Sequence, residues 1–363
     1  MARKPAKPKY ATFKKPSDIK VGVIGYGGAF NMGKAHLDQM KKAGMTPYAV
    51  CEIDPARLDV ATADFPGIET YDTLSKMLKH SDVNLIVHIT PHNLHYKLAA
   101  QCVKAGKHVV TEKPFVVTTA EADKLIALAE KQNVMVSTYH NRHWDGWILR
   151  ASKEIAEKGV IGDVRRIELS FGNYGMPNDW WRTSRSISGG VLYDWGVHLL
   201  EYALQLVDSD LVEVSGFATN GYWESKAPKG FRWIGDMNED DAVAVARFAN
   251  GAMITLNISH LRSVDRPPMT VIGTKGSYTI NAFWRAGEKG WTVRKANAKG
   301  ELTEKSGKHP KDRGQLFYDN IAEHMCGQAE LIITPQWARR PIHILDLAMK
   351  SAQQGKALKA KYG

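Results

Sequence analysis

Lys20-Val21-Gly22-Val23-Ile24-Gly25-Tyr26-Gly27-Gly28-Ala29-Phe30-Asn31-Met32-Gly33 opens as a β-branched apolar run, breaks into glycines and then turns helical. Met32, Ala35, Met40 and Ala43 recur at roughly helical spacing before Gly44, so the stretch reads as strand, glycine turn and helix. That order makes an anion site. Glycines without Cβ let the backbone approach a pyrophosphate, and the free N–H groups of the first helical turn point at it. A Gly-x-Gly pair also arises for purely steric reasons, but its place between a buried-type strand and a helix points to a dinucleotide. The candidate contacts are Gly25, Gly27, Gly28, Ala29, Phe30 and Asn31. The third glycine is Gly33, three residues later than the usual spacing, which should widen the loop before the helix.

Working outward, Pro47 to Glu52 reads as a second strand ending 27 positions beyond Gly25. A carboxylate there can accept hydrogen bonds from both adenine-ribose hydroxyls and would repel a 2′-phosphate, which favours NAD. Asp54 precedes Pro55 and reads as a turn former, and Arg57 lies near enough to leave NADP open. Asn84 to Thr90 is a buried-type strand, and His88 inside it is expected to be a core histidine with a satisfied hydrogen bond. Thr90, Pro91 and Asn93 follow at the carboxyl end, where open α/β sheets bind ligands. Leu94–Ala105 and Ala120–Lys131 read as helices, His108–Thr111 and Val134–Tyr139 as strands. Such alternation argues for a doubly wound parallel sheet with right-handed crossovers.

At 363 residues the chain suggests two domains, each long enough to bury its own core. The net charge of +11 is misleading until it is located. Residues 1–20 hold seven Lys/Arg against one Asp, and residues 350–363 hold four Lys and no acid, so the tails carry ten of the eleven excess charges. The body is close to neutral, and no basic stripe with interleaved aromatics points to nucleic acid. No apolar run is long enough for a bilayer, and the basic N-terminus lacks the apolar centre of a secretory signal. Cys51, Cys102 and Cys326 show neither disulfide pairing nor metal spacing, which fits a reducing compartment. A cytoplasmic enzyme without membrane or nucleic-acid partners is the expectation, with an arm at residues 1–18 that either stays solvated or drapes over a neighbouring subunit.

Two places could carry chemistry. Lys113, between Glu112 and Pro114 at a strand end, either hydrogen-bonds a substrate hydroxyl or is a surface lysine paired with Glu112. Asp194, His198 and Glu201 share one face of a helix expected over Leu192–Leu206, whose packing side is Leu192, Leu199, Ala203 and Leu206. A neutral imidazole in a cleft can take an alcohol proton beside an orienting carboxylate. A buried hydrogen-bond network and a zinc site are the alternatives, the latter weakened because no second His/Cys cluster has matching spacing. From Val164 onward strands dominate: Val164–Tyr174, Leu211–Gly221, Ala242–Ala249, Ala252–His260, Met269–Gly273 and Ser277–Asn281, with Asn250-Gly251 as a hairpin turn. Gly287 to Lys311 reads as a further hairpin, Thr334-Pro335 opens a helix, and another helical segment is expected from Ile342 to Gln354.

Those motifs together resemble the glucose-fructose oxidoreductase / inositol dehydrogenase / rhizopine-catabolism (Gfo/Idh/MocA) family, from about Ile19 to Leu358. The matching pieces include Gly33-Lys34-Ala35-His36, Thr90-Pro91-x-Asn93-x-His95, Glu112-Lys113-Pro114 and Asp194-x-Gly196-x-His198. The resemblance implies a Rossmann domain over residues 19–145 and an open, mainly antiparallel sheet backed by helices over 146–363, whose free face commonly forms the subunit interface of a homo-dimer or tetramer. It adds His95, Glu112 and Lys113 to the cofactor set of Gly25–Asn31, Glu52, Arg57, Thr90, Pro91 and Asn93. It places Lys113 and His198 beside the reacting carbon and Asp194 on the substrate, with Arg142, Trp181 and Arg182 as further substrate contacts and no metal. His143-Trp144 and Glu201 depart from the family pattern, where Phe with a small residue and Asp are usual. The implied activity is NAD(P)-dependent hydride exchange with a secondary alcohol or ketone of a sugar, cyclitol or polyol. An NAD-dependent glycoside hydrolase and a non-catalytic NAD sensor are the alternatives.

Overall fold

The computed structural model describes residues 10–28, 30–283 and 289–361. The described chain separates into two compact units, a first running to Asn141 and regaining Gln315–Arg339, and a second made of Arg142–Gly314 and the residues from Arg340. Arg142 to Asp145 therefore fall in the second unit, and Gln315 to Arg339 return to the first, a division that the linear 19–145 and 146–363 reading did not anticipate. No helix among the described residues is long and apolar enough to cross a membrane.

The first unit alternates β1 (Lys20–Ile24), α1 (Met32–Lys42), β2 (Thr46–Cys51), α2 (Pro55–Asp64), β3 (Glu69–Tyr71), α3 (Leu74–His80), β4 (Leu85–His88), α4 (His95–Lys104), β5 (His108–Thr111), α5 (Thr119–Gln132) and β6 (Val136–Thr138). The strands form one sheet in the order β3-β2-β1-β4-β5-β6, every neighbouring pair parallel. All residues of β4 and β5 are buried, as strands covered on both faces must be. Helix starts are set locally. Thr118 and Glu121 form a reciprocal capping box on α5, and Asp54, read from sequence as a turn former, caps α2 by accepting from the Ala56 N–H at 3.0 Å. The strand order changes direction between β1 and β4, so the loops after these strands flank the crevice where such sheets bind nucleotides.

The second unit carries α6 (Gly146–Ser152), β7 (Val164–Gly172), α7 (Arg185–Ser188), α8 (Leu192–Leu204), β8 (Leu211–Thr219), β9 (Asp241–Phe248), β10 (Met253–Ser259), β11 (Met269–Gly273), β12 (Gly276–Ile280), β13 (Trp291–Ala296) and β14 (Leu302–Gly307). After α9 (Leu316–Met325) and α10 (Pro335–Gln354) comes the short β15 (Leu358–Lys359). The nine-stranded sheet runs β14-β13-β12-β11-β7-β10-β9-β8-β15, and only β7 and β10 pair in parallel. Asn250-Gly251 turns β9 into β10, with Gly251 at φ 82° and Asn250 Oδ1 accepting from the Ala252 N–H. Alternation fixes the faces. Ala242, Ala244, Ala246, Ile254, Leu256 and Ile258 are buried, while Val243, Val245, Thr255 and Asn257 on the other face are partly exposed. A Cβ on Gly196 would come within 3.0 Å of Leu256 Cδ2, so that glycine lets α8 lie close on the sheet.

One helical expectation is corrected. The segments opened by Thr334-Pro335 and by Ile342 are a single helix of 20 residues that contains Pro341. Ile342, Ile344, Leu345 and Ala348 are buried, and this packing outweighs the hydrogen bond that proline cannot donate.

Candidate functional site

The glycine turn leaves β1 with Gly25 at φ 98°, where an added Cβ would meet the Ile89 carbonyl oxygen at 2.2 Å. Glycine is therefore obligatory there. Gly27 is different. Among the described residues a Cβ on it would meet nothing within 4 Å, so none of them requires a glycine there and the backbone lies open to a ligand. Gly33, despite the insertion, still sits against the turn, its Cβ direction blocked by Gly25 O and Tyr26 Cδ2 at 2.7 Å. Asn31 enters α1 at φ 44° without capping it, and its Oδ1 is buried with no hydrogen-bond partner among the described residues. The Asn31 side chain thus leaves the first-turn amides of α1 uncapped, as an anion site there requires. Phe30 is exposed, and Ala29 lies outside the described residues.

Two side chains hold the turn from the β2 side. Glu52 accepts from the N–H groups of Tyr26 (2.6 Å), Ile53 (2.7 Å) and Asp54 (3.2 Å). Arg57 Nε donates to Tyr26 O at 2.8 Å, and its guanidinium lies 3.6 Å from where a Gly28 Cβ would be. A carboxylate has about four acceptor positions, so Glu52 keeps capacity for a ribose hydroxyl beside a cation able to meet a 2′-phosphate.

After β4, the Thr90 Oγ1 is buried and lacks a partner among the described residues. His95 is fully buried, with Nδ1 2.6 Å from Pro114 O and Nε2 3.0 Å from Thr90 O; burial pushes its pKa down, so the neutral ring donates to one of these carbonyls and packs against the other. Pro91 is half-buried and Asn93 exposed. His88 corrects an expectation: it is fully buried, but neither ring nitrogen has a hydrogen-bond partner among the described residues. Its ring meets the edge of His95 at 4.9 Å, and burial pushes its pKa well below the ordinary value, which keeps it neutral.

Lys113 ends the neighbouring strand. Its N–H donates to Glu112 Oε2 at 2.8 Å, while Glu112 Oε1 faces His36 Nε2 at 3.0 Å and His36 Nδ1 faces the Tyr318 hydroxyl at 2.6 Å. A carboxylate only accepts, so His36 Nε2 carries the proton and Tyr318 donates to Nδ1. Burial pushes the Glu112 carboxyl up, but the hydrogen bond from His36 and the charge of Lys113 outweigh it and hold it below its ordinary value. The Glu112 side chain is committed to this chain of bonds. Tyr318 had no local signal in the sequence, because α9 is brought to α1 only by folding.

In the second unit, Asp194 and Trp195 line a cavity of about 300 Å³ with Phe171, Trp180, Arg182 and His260 among its walls. Arg182 Nε lies 3.4 Å from Asp194 Oδ1, and its guanidinium stands 4.6 Å and 4.3 Å from the Trp180 and Trp181 ring centres. Trp195 stacks on Phe171 at 4.2 Å and carries the Arg142 guanidinium at 5.4 Å. His198, one turn along α8, is buried to 5 % exposure with its ring 5.5 Å from Trp195. Arg142 Nη1 also pairs with Asp145 Oδ2 at 3.2 Å, which accepts from the Tyr202 hydroxyl at 2.8 Å. Burial pushes the Asp145 carboxyl up to about 6 against the pull of Arg142 and Tyr202. Glu201 accepts from His143 Nδ1 at 2.5 Å. No group of three or more His, Cys, Asp or Glu able to hold a metal occurs among the described residues. Trp180, Phe171 and His260 escaped the sequence reading, because an aromatic in a loop or strand carries no mark of which cavity it will face.

The comparisons with known proteins agree with this fold. Residues 19–140 match the family model described as an oxidoreductase family with an NAD-binding Rossmann fold, and residues 149–279 match that of the GFO/IDH/MocA C-terminal domain. Scyllo-inositol 2-dehydrogenase (NADP(+)) of Bacillus subtilis is 32% identical over 194 residues, 53% of each chain. Myo-inositol 2-dehydrogenase of Thermotoga maritima is 27% identical over 71% of this chain and 74% of its own. The chain spans about half the length of the first curated relatives it matches. The WlbA dehydrogenase of Bordetella pertussis, solved with NADH and UDP-GlcNAcA, shares the fold at 21% identity, with a TM-score of 0.75 over 95% of this chain and 99% of its own. With an open glycine turn, uncapped α1 amides and orphaned polar atoms where a dinucleotide would lie, and with both family models matched in order, the chain belongs to the GFO/IDH/MocA oxidoreductase family.

Proposed function

We propose that the protein is an NAD(P)-dependent dehydrogenase that exchanges a hydride with a secondary alcohol or ketone of a sugar, cyclitol or related polyol. The observation that carries the reading is the second-unit cavity, where Asp194 and the indole of Trp195 line a space of about 300 Å³ and His198 follows one turn on. Carboxylate and guanidinium suit hydroxyl groups, and indole faces suit the C–H faces of a ring. The inositol dehydrogenases among its relatives support the substrate class.

In this reading Asp194 holds the substrate by accepting from a hydroxyl, and His198 takes the hydroxyl proton at the reacting carbon. Lys113 is assigned a hydrogen bond to a substrate hydroxyl. Arg142, Trp181 and Arg182 complete the substrate contacts. Gly25, Gly27, Gly28, Ala29, Phe30 and Asn31 receive the pyrophosphate, Glu52 and Arg57 the adenosine end, and Thr90, Pro91 and Asn93 the nicotinamide end. His95 and Glu112 position those loops. When bound, the nicotinamide supplies the hydride acceptor or donor.

The partly exposed sheet face around Val243, Val245 and Thr255 is assigned to a homo-oligomer interface. Light scattering that returned a monomer at micromolar concentration would overturn this assignment.

The functional test is a panel of sugars and cyclitols assayed for reduced nicotinamide with NAD and with NADP. The expected result is turnover of at least one cyclic polyol, abolished in His198→Asn and Lys113→Met while both variants still bind NADH. Turnover that survives both substitutions would refute the assignment of roles.

A further inference from the structure

His260 follows β10, and its backbone is held on both sides. Its N–H donates to Asp240 O at 2.7 Å, and its carbonyl accepts from the Gly175 N–H at 3.0 Å and from Trp223 Nε1 at 3.1 Å. Asp240 is fixed in turn, its carboxylate accepting from the N–H groups of Tyr222 (2.8 Å) and Trp223 (3.1 Å). Alternation along β10 buries Leu256 and Ile258 on one face, and Leu256 is the residue that Gly196 of α8 approaches. His260 comes two residues after Ile258, in the same row, and both line the cavity with Asp194 and Trp195.

This fixed backbone carries a side chain that the fold does not use. The ring is half-buried and has no hydrogen-bond partner among the described residues. Other polar side chains of the wall are committed or exposed. Asn238 donates to Arg182 O at 2.6 Å and accepts from the Ser188 hydroxyl at 3.0 Å. Thr183 donates to Asn178 O at 2.6 Å, and Ser259 Oγ accepts from the Leu261 N–H at 3.0 Å. Asn173 and Asn178 are exposed, and the two charged groups of the wall, Arg182 and Asp194, face each other. Burial pushes the His260 imidazole down against the pull of the Asp240 charge, so the neutral ring offers one N–H donor and one nitrogen acceptor. Removing such a group from bulk water costs free energy that a ligand able to pair with it recovers.

We propose that His260 is a specificity-determining residue of the substrate cavity, its imidazole sharing a hydrogen bond with a hydroxyl on a carbon other than the one oxidised. This rests on the polyol-dehydrogenase reading above. A hydroxyl suits a neutral imidazole because either ring nitrogen can pair with it, one as donor and the other as acceptor. No covalent bond changes at His260. It selects among ring isomers by whether a hydroxyl meets the ring, since a site that pairs a hydroxyl rejects the analogue lacking it.

The test uses the best polyol of the panel and its single-deoxy analogues. Wild type is compared with His260→Phe, a planar ring without hydrogen-bonding atoms, and His260→Gln, whose amide can still pair with a hydroxyl. In wild type, one deoxy position away from the oxidised carbon lowers kcat/KM by about tenfold, the worth of one hydrogen bond at a partly buried group. In His260→Phe that penalty falls to within about twofold, through KM, while the penalties at other positions stay; His260→Gln regains part of it. Wild-type penalties at every position in His260→Phe overturn the proposal, and so does an equal loss of all of them. Should His260→Phe not fold, His260→Gln is read alone: a penalty reduced at one position supports the proposal, and a wild-type pattern overturns it. If no polyol is turned over, the dehydrogenase reading falls first. The proposal is then judged on the imidazole ¹⁵N signals of His260, assigned by their absence in His260→Gln, in protein with NADH added: a shift on adding a cyclitol supports it, and no shift with any polyol overturns it.

Discussion

Gly25 and Gly27 are two residues apart in one turn, yet the structure asks opposite things of them. Gly27→Ala places a methyl where no atom of the described residues lies within 4 Å. Folding should therefore be unaffected or improved, by up to about 1 kcal/mol, because alanine reduces the freedom of the unfolded chain. NADH binding should weaken by about tenfold or more, or about 1.4 kcal/mol, because the methyl occupies the space through which backbone meets pyrophosphate. Gly25→Ala has the reverse profile. Its φ of 98° costs about 1–3 kcal/mol for a residue with a Cβ, and the 2.2 Å approach to Ile89 O forces a backbone shift of about 1–3 kcal/mol more. Urea unfolding and NADH titration by fluorescence, run on both variants, separate the two effects. A Gly27→Ala protein that is folded and binds NADH as tightly as wild type would refute the argument that this turn is where the cofactor approaches.

Tyr318→Phe removes one hydroxyl and leaves His36 Nδ1 buried without its donor, so the urea midpoint should fall by the equivalent of about 1–3 kcal/mol. Faster amide exchange at Lys113, whose N–H bonds Glu112 at the end of the same chain, should accompany it. Asp145 has a folded pKa raised to about 6 from a usual 3.8, so the native state holds an extra proton between these values. Its contribution to stability is therefore largest below about pH 4 and is lost as pH rises through about 6, a loss of order 3 kcal/mol that Asp145→Asn should abolish. Carbon-detected NMR titration of the carboxyl checks the value directly. Arg57→Ala should weaken NADPH more than NADH, and Glu52→Gln should narrow the gap between them, which comparative titrations with the two cofactors would show.

The sequence by itself determined most of the fold and much of the site, because the signals involved are local. Period-two alternation with Asn250-Gly251 marks a hairpin, buried-type runs between helices mark a parallel sheet, and Gly25-x-Gly27 before a helix marks an anion turn. Asp194 and His198 share a stripe because a helix brings i and i+4 together. What only the tertiary structure decided are contacts between segments that no local rule relates. Tyr318 reaches His36 across 282 residues, and Gln315–Arg339 rejoins the first unit. His143 and Glu201, noted separately in the sequence as departures, become partners only when loop and helix meet. His88 follows the same logic in reverse: the sequence marks it as a core histidine, but whether a donor or acceptor reaches it depends on neighbouring strands and loops, and none among the described residues does. Periodicity fixes which face a side chain takes; the partner on that face is set by packing of distant chain, which a one-dimensional pattern does not contain.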